Sequence, residues 1–282
     1  MRTLMTNQIN YFFLPLYAPQ QLFMYRKIPV VLLFLFAATT VVAQADKMEP
    51  PADTANLGDK EILLKHEFTG GVLLHSNGWG INLRRGKHKT AKLKRMLELD
   101  IVSMKHPKEI KSVNPYFENS KGFVYGKQNT FTIGRIGYGG QWVIVHRQDR
   151  RGGGVELRAH VYGGISLGFA KPVYLEILVP TNVPFEFSLS TEKYDPDKHY
   201  IDNIYGKAPF TKGLDQLKVY PGLYVKAGMS FEYASRQDNI KAIEAGIVID
   251  GYYKKVPIMA FADNHPYFVS LYIGINFGTK WY

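Results

Sequence analysis

Glu98, Asp100, Glu156, Arg158, His160, Lys226, Glu232, Glu244 and Asp250 are scattered along the chain, yet each falls on the polar phase of an alternating stretch. Brought to one place they would supply acids, bases and cations for proton transfer or an ion path, or they would pair with one another as a buried structural network. His75 and Ser76 in "LLHSNGWG" set a base beside a hydroxyl, the parts of an ester-cleaving nucleophile. Neighbours on a strand point to opposite sides, and a turn with an Asn-Gly centre accounts for the stretch. Asp195, Asp197, His199 and Asp202 in "EKYDPDKHYIDN" have cation-ligand chemistry but lack the glycine and distal glutamate of a calcium loop, so a solvated loop is the plainer reading. "GKHKT", residues 86–90, lacks the leading glycine of a phosphate loop and joins two strands, so it reads as a basic turn. Lys105, His106, Lys108, Lys111, Lys121 and Lys127 gather in one polar stretch that either faces anionic phosphates or is simply solvated.

The elements that position these residues are strands. Of 282 residues 46% are hydrophobic and 14% aromatic, with 19 Tyr and 17 Phe. There is no cysteine, which excludes disulfides, thiol catalysis and thiolate metal sites, and no motif calls for a cofactor or for nucleic acid. "MYRKIPVVLLFLFAATTVVAQADK", from Met24, has a basic start, an apolar run and small residues at Ala43 and Ala45, the plan of a signal peptide cleaved after one or the other. Residues 24–45 are therefore read as leader, 1–23 as an upstream start artefact, 46–61 as a polar lead-in and 62–282 as the folded part. Losing Arg2, Arg26 and Lys27 takes the 35 basic residues to 32 against 24 acidic, a net charge near +8.

Period-2 alternation begins at Ile62 and predicts eight strands. The first runs over 62–74, with Phe68, Val72 and Leu74 opposite Glu67, Thr69 and Gly71. Trp79, Ile81 and Leu83 mark a short second strand, and a basic turn over 85–92 leads to the third, where Leu97, Leu99 and Ile101 oppose Glu98 and Asp100. The fourth covers 129–147 with a phase slip between Ile133 and Ile136, predicting a bulge within 134–140. The fifth keeps one register from Val155 to Val179 and reads as a single long strand. The sixth covers 219–233, the seventh carries Ile243, Ala245, Ile247 and Ile249, and the eighth is the terminal "YFVSLYIGINFGTKWY".

Alternation alone does not tell a soluble barrel from a membrane barrel. The polar phases decide: strands six to eight present Tyr, Lys, Gly, Ser, Glu, Asp and Asn, which suit a narrow packed lumen better than a solvated surface. Connection lengths agree. The segments 85–92, 148–154 and 234–239 are short, while 105–128, 180–218 and 254–266 are long, the asymmetry of a barrel with short periplasmic turns and long outer loops. The expected fold is all-β, an eight-stranded antiparallel transmembrane β-barrel, with ten strands as the alternative.

The exported start ending in "VVAQ", the alternating strands and the aromatic-ended last strand resemble the small outer-membrane β-barrel proteins of Gram-negative bacteria, especially those of the Bacteroidota, over about residues 62–282. The resemblance implies a protein of the cell outer membrane inserted by the barrel-assembly machinery; a barrel without cofactor, monomeric by preference and surrounded by outer-membrane lipid including lipopolysaccharide is the accompanying expectation. It departs from the usual pattern in the overhang "GTKWY" beyond Phe277. A role in envelope structure or surface interaction through the long loops follows. Two rivals are a lipid A-modifying enzyme, since His75 and Ser76 resemble the His and Ser of barrel lipid A deacylases but are adjacent rather than two apart, and a soluble periplasmic barrel.

Overall fold

The computed structural model describes residues 65–90, 92–117, 120–145, 155–181, 187–233 and 239–282. The leader, the lead-in, the start of the first strand, the 148–154 turn and most of the 234–239 turn lie outside the described residues.

Eight long strands close into one antiparallel barrel: β1 His66–His75, β2 Gly78–His88, β3 Leu93–Met104, β6 Asn129–Val145, β7 Val155–Pro172, β11 Lys218–Tyr233, β12 Asn239–Tyr252 and β13 Tyr267–Trp281. They run in the order β1-β13-β12-β11-β7-β6-β3-β2, so the first and last strands form the closing seam, with His66 opposite Trp281 and His75 opposite Tyr272. Full closure leaves no barrel strand with an unpaired edge, the condition for a sheet to lie in lipid. There are eight barrel strands, not ten.

Through the middle of the barrel wall the strands alternate, with the outward phase apolar. Val72, Leu74, Ile81, Leu83, Leu97, Leu99, Ile101, Val225, Ile243 and Val269 are exposed, and Ile273 is 61% exposed while its neighbour Tyr272 is 3%. A soluble barrel would show the reverse. On β13 the apolar stripe from Val269 to Ile275 is bracketed by exposed Tyr267 and Phe277. Those aromatics lie about 34 Å apart along the strand at about 3.4 Å per residue. A tilt of about 40° brings that to about 26 Å, the height of the apolar band of an outer-membrane barrel. Phe68, Trp142, Phe231 and Trp281 extend the lower aromatic ring.

The lower overhang is part of the barrel. Gly278 to Trp281 pair with Thr69 to His66, and Lys280 reaches Glu232 at 2.5 Å.

Three readings of the sequence need correction. The second strand is longer than expected, because Arg85 to His88 continue its ladder opposite Leu97 to Lys94 and only the residues after His88 turn. The slip on the fourth strand is not a bulge. Its register against β3 is continuous through Gly134 to Gly140, and the one irregularity lies between Val143 and Val145 on the β7 side. Ile133 breaks the pattern because it points inward, fully buried, while Ile136 faces out. The fifth strand is two. β7 ends at Pro172, which has no N–H to continue the ladder, and β8 (Tyr174–Pro180) leaves the barrel. Because β8 joins a separate sheet, the split does not disturb the even strand number.

That separate sheet has the order β10-β8-β9, with β9 Phe187–Lys193 and β10 Ile204–Lys207, and it stands on the side of the barrel where the long connections emerge. Leu175, Ile177, Tyr194 and Ile204 pack with Phe123 into its own small core. The first long connection joins it: β4 Lys111–Ser112 pairs with β5 Phe123–Val124, and the buried Asn114 amide donates to the Ile204 carbonyl at 2.8 Å.

Candidate functional site

Inward-pointing residues stack in layers along the barrel axis. Nearest the termini, Glu67 meets Lys94 at 2.8 Å and His88 at 3.2 Å, while Glu232 gathers Lys280, Arg158 at 3.5 Å and Lys94 at 3.8 Å. Arg158 also pairs with Glu156, the one member of the sequence-derived set that is not fully buried.

The middle layer centres on Glu98. Its Oε2 accepts from Arg84 Nε at 2.7 Å and Lys226 Nζ at 3.0 Å, and its Oε1 accepts from the Tyr224 hydroxyl at 3.2 Å. Arg84 turns its other arm to Glu244 at 2.6 Å, and Lys226 reaches Asp100 at 2.8 Å. Tyr162 lies under the Arg84 guanidinium at 5.1 Å and Tyr272 under the Lys226 ammonium at 4.9 Å, so aromatic faces complete the solvation of both cations. His160 shares a 2.5 Å hydrogen bond with the Tyr272 hydroxyl.

One level further out, Arg135 grips Asp250 with two parallel bonds of 2.8 and 2.7 Å, and the Ser166 hydroxyl donates to Asp250 at 3.0 Å. Above this the lumen turns apolar. Leu73, Val102, Met104, Phe131, Ile133, Ala170 and Tyr252 close around Val256, Ile258 and Met259, which the β12–β13 connection dips into the mouth. Asn264 pins that connection by accepting from Ile258 N at 2.8 Å and donating to Met259 O at 2.9 Å.

The structure thus brings Glu98, Asp100, Lys226 and Glu244 together, puts Asp250 in the layer above, and groups Glu156, Arg158 and Glu232 below. Sequence reading missed the cations Arg84, Lys94 and Arg135. Arg84 sits two positions from Asn82 on one phase of β2, and that parity was the available signal. Voids in the lumen measure 0 Å³ beside Asp100 and Arg135 and about 10 Å³ beside Glu67 and Arg84. Each of these two voids is too small to hold a row of waters.

The other candidates do not converge. Ser76 is exposed in the hairpin turn, while His75 Nδ1 accepts from Asn77 N at 3.3 Å. That turn is centred on Ser76 and Asn77, one residue earlier than expected, since His75 pairs with Gly78. No carboxylate partners the His75 ring, so no ester-cleaving triad forms among the described residues. Asp195 Oδ1 accepts from Asp197 N at 3.1 Å and His199 faces Glu192 at 3.2 Å, which makes a turn and a cap rather than a ligand cage. Of the first-loop basic residues, Lys121 pairs with Glu176 at 3.0 Å and His106 accepts from Lys108 N at 3.2 Å, whereas Lys105, Lys111 and Lys127 line a cavity under the loops.

A closed eight-stranded sheet with a packed, charged interior and an apolar, aromatic-girdled exterior has the architecture of a transmembrane β-barrel. Among solved structures the chain is similar to Ail, the attachment invasion locus protein of Yersinia pestis, at 11% identity and a TM-score of 0.38, over 78% of this chain and 100% of that one. It is also similar to Neisserial surface protein A, at 12% identity and a TM-score of 0.35, over 77% and 97% of the two chains. The N-terminal β-barrel domain of Pseudomonas aeruginosa OprF matches at 10% identity and a TM-score of 0.31, over 77% and 98%. The likeness is one of fold. No family model and no curated protein matches the chain.

Proposed function

We propose that the protein is a non-enzymatic outer-membrane barrel that acts at the cell surface through its outer loops, of the kind the sequence pattern links to the Bacteroidota. The observation behind this reading is the contrast between the two halves of the molecule. The lumen is filled by ion pairs and stoppered by Val256, Ile258 and Met259, while the connections over 105–128 and 173–217 build a folded sheet with its own core above the rim. A barrel for transport needs a passage, and a barrel enzyme needs a convergent nucleophile and base; a cap folded to this degree is what a binding surface needs.

The test is membrane fractionation with heat-modifiable gel migration, followed by protease treatment of intact cells. The reading expects the protein in the outer-membrane pellet, a mobility shift on boiling, and cleavage of surface loops near Tyr200 or Phe210 without loss of the barrel fragment. Recovery in the soluble periplasmic fraction, or complete protection of the loops in intact cells, would sink it.

A further inference from the structure

A cavity of about 390 Å³ lies between the first outer connection and the cap sheet, within the size range of small-molecule sites. Lys105, Lys111, Lys127, Lys171, Lys207 and Lys212 ring it, and its one carboxylate, Glu109, is taken by Lys127 at 2.6 Å. Lys171 donates to the Phe210 and Lys212 carbonyls, at 2.7 and 3.3 Å. Among the described residues Lys105, Lys111, Lys207 and Lys212 have no carboxylate partner. Unpaired ammonium groups around one small volume repel one another, and a multiply charged anion removes that repulsion.

The position of the cavity says which anion. Thr130 on β6 and Lys171 on β7 are cross-strand partners at the rim, and both alternate with buried inward residues, Phe131 and Ala170. They therefore sit on the outer face of the wall. The same phase descends β7 through Phe169, Leu167 and exposed Ile165, and descends β6 to exposed Ile136. The lysine ring begins where the lipid-facing stripe ends, at the height of the headgroups. Phe123, Tyr174 and Phe210 add an apolar floor.

We propose that this cavity binds the phosphate-monoester headgroup of an outer-leaflet lipid, with the acyl chains of that lipid lying against the β6–β7 wall. The proposal rests on the outer-membrane reading above and names the ligand class of its loop surface. Lysine ammoniums suit the dianion as point charges, and the shared wall supplies the apolar contact that a soluble phosphate would not use.

The full barrel is reconstituted in phosphatidylcholine vesicles doped with phosphatidic acid or with diacylglycerol, extracted in mild detergent, and its retained lipid measured by native mass spectrometry. Phosphatidic acid should be retained and diacylglycerol not. K111E/K207E/K212E should lower retention at least tenfold, while K198E/K254E/K255E, with the same charge change on exposed outer-loop positions that do not line the cavity, should leave it within twofold. Should the first triple variant fail to shift on heating, K207E alone, at an exposed position, carries the test with at least a threefold drop. Equal retention of diacylglycerol, unchanged retention in the cavity variants, or equal loss in the control variant overturns the proposal. Full displacement of the lipid by millimolar inorganic phosphate that itself binds the barrel assigns the site to a soluble anion and likewise overturns it. A wild-type protein that keeps its heat-dependent shift but retains no lipid refutes the site alone, whereas loss of that shift refutes the barrel reading beneath it.

Discussion

Arg84 and Glu98 are directly opposed on β2 and β3 and joined at 2.7 Å inside the barrel, while the next pair along the same two strands, Leu83 and Leu99, points into lipid. One residue of shift in this register would put the guanidinium in the membrane and a leucine in the ion cluster. The buried pair therefore fixes the register of the hairpin as firmly as the apolar face does.

Glu98 is shared by Arg84, Lys226 and Tyr224, so its removal leaves two buried cations short of a partner. Glu98→Ala should destabilise the folded barrel by about 3 to 5 kcal/mol. Removing one member of an exposed pair, with Lys121→Ala against Glu176, should change it by less than about 1 kcal/mol. Urea unfolding of vesicle-inserted protein measures both, and similar shifts for the two would contradict the ranking.

Depth sets the cost of a charge on the outer face. Ile273→Arg lies midway along the apolar stripe of β13 and should cost roughly 2 to 4 kcal/mol, whereas Phe68→Arg, at the lower aromatic ring, should cost about 0 to 1 kcal/mol. The same unfolding assay tests the pair. An Ile273→Arg variant that folds with unchanged stability would mean that this face does not meet lipid.

The stopper at the outer mouth makes a separate prediction. Ile258 is 1% exposed within the apolar cluster, so Ile258→Ala should destabilise by about 2 to 5 kcal/mol and speed amide exchange at Val102 and Met104. Planar bilayers should stay non-conducting with either the wild type or this variant, because the ion-pair layers below the stopper remain. Steady single-channel currents from the wild type would contradict a filled lumen.

Tyrosine rings lie along the inner wall over glycines of the neighbouring strands: Tyr224 over Gly164 and Gly137, and Tyr272 over Gly246 and Gly228. A Cβ at Gly137 would collide with the Tyr224 hydroxyl that serves Glu98. Gly137→Ala should therefore cost about 1 to 3 kcal/mol. Pairing it with Tyr224→Phe should recover part of that loss, and purely additive losses in the double-mutant cycle would show that the two positions do not touch.

Much of this was legible in the sequence because parity is physical: on β3 and β13 the residues read as inward are the buried ones, and on β11 and β12 they are so except at the half-buried Gly228 and Gly246. Parity reports a face and not what lies beyond it. Ile133 looked like a slip because an apolar residue on the lumen phase is unexpected, and the reason for it is a stopper contributed from Val256, far along the chain. Leu175 and Ile177 continue the alternation of β7 with no break in phase, so nothing in their pattern announces that Pro172 ends the barrel ladder. Arg84 and Lys94 flank a stretch whose lysines and glycine read as a turn, which hid two of the cations that neutralise Glu98 and Glu67. The lysine cavity draws on both long connections and on the rim, and no local pattern joins them.

The stopper and the closing strand belong to one hairpin. The connection that lowers Val256, Ile258 and Met259 into the mouth runs directly into β13, whose far edge zips to β1. Corking the lumen and sealing the seam therefore fall to one continuous stretch of chain, Val256 to Trp281. The barrel is in effect a vessel that its last segment both stitches shut and lids.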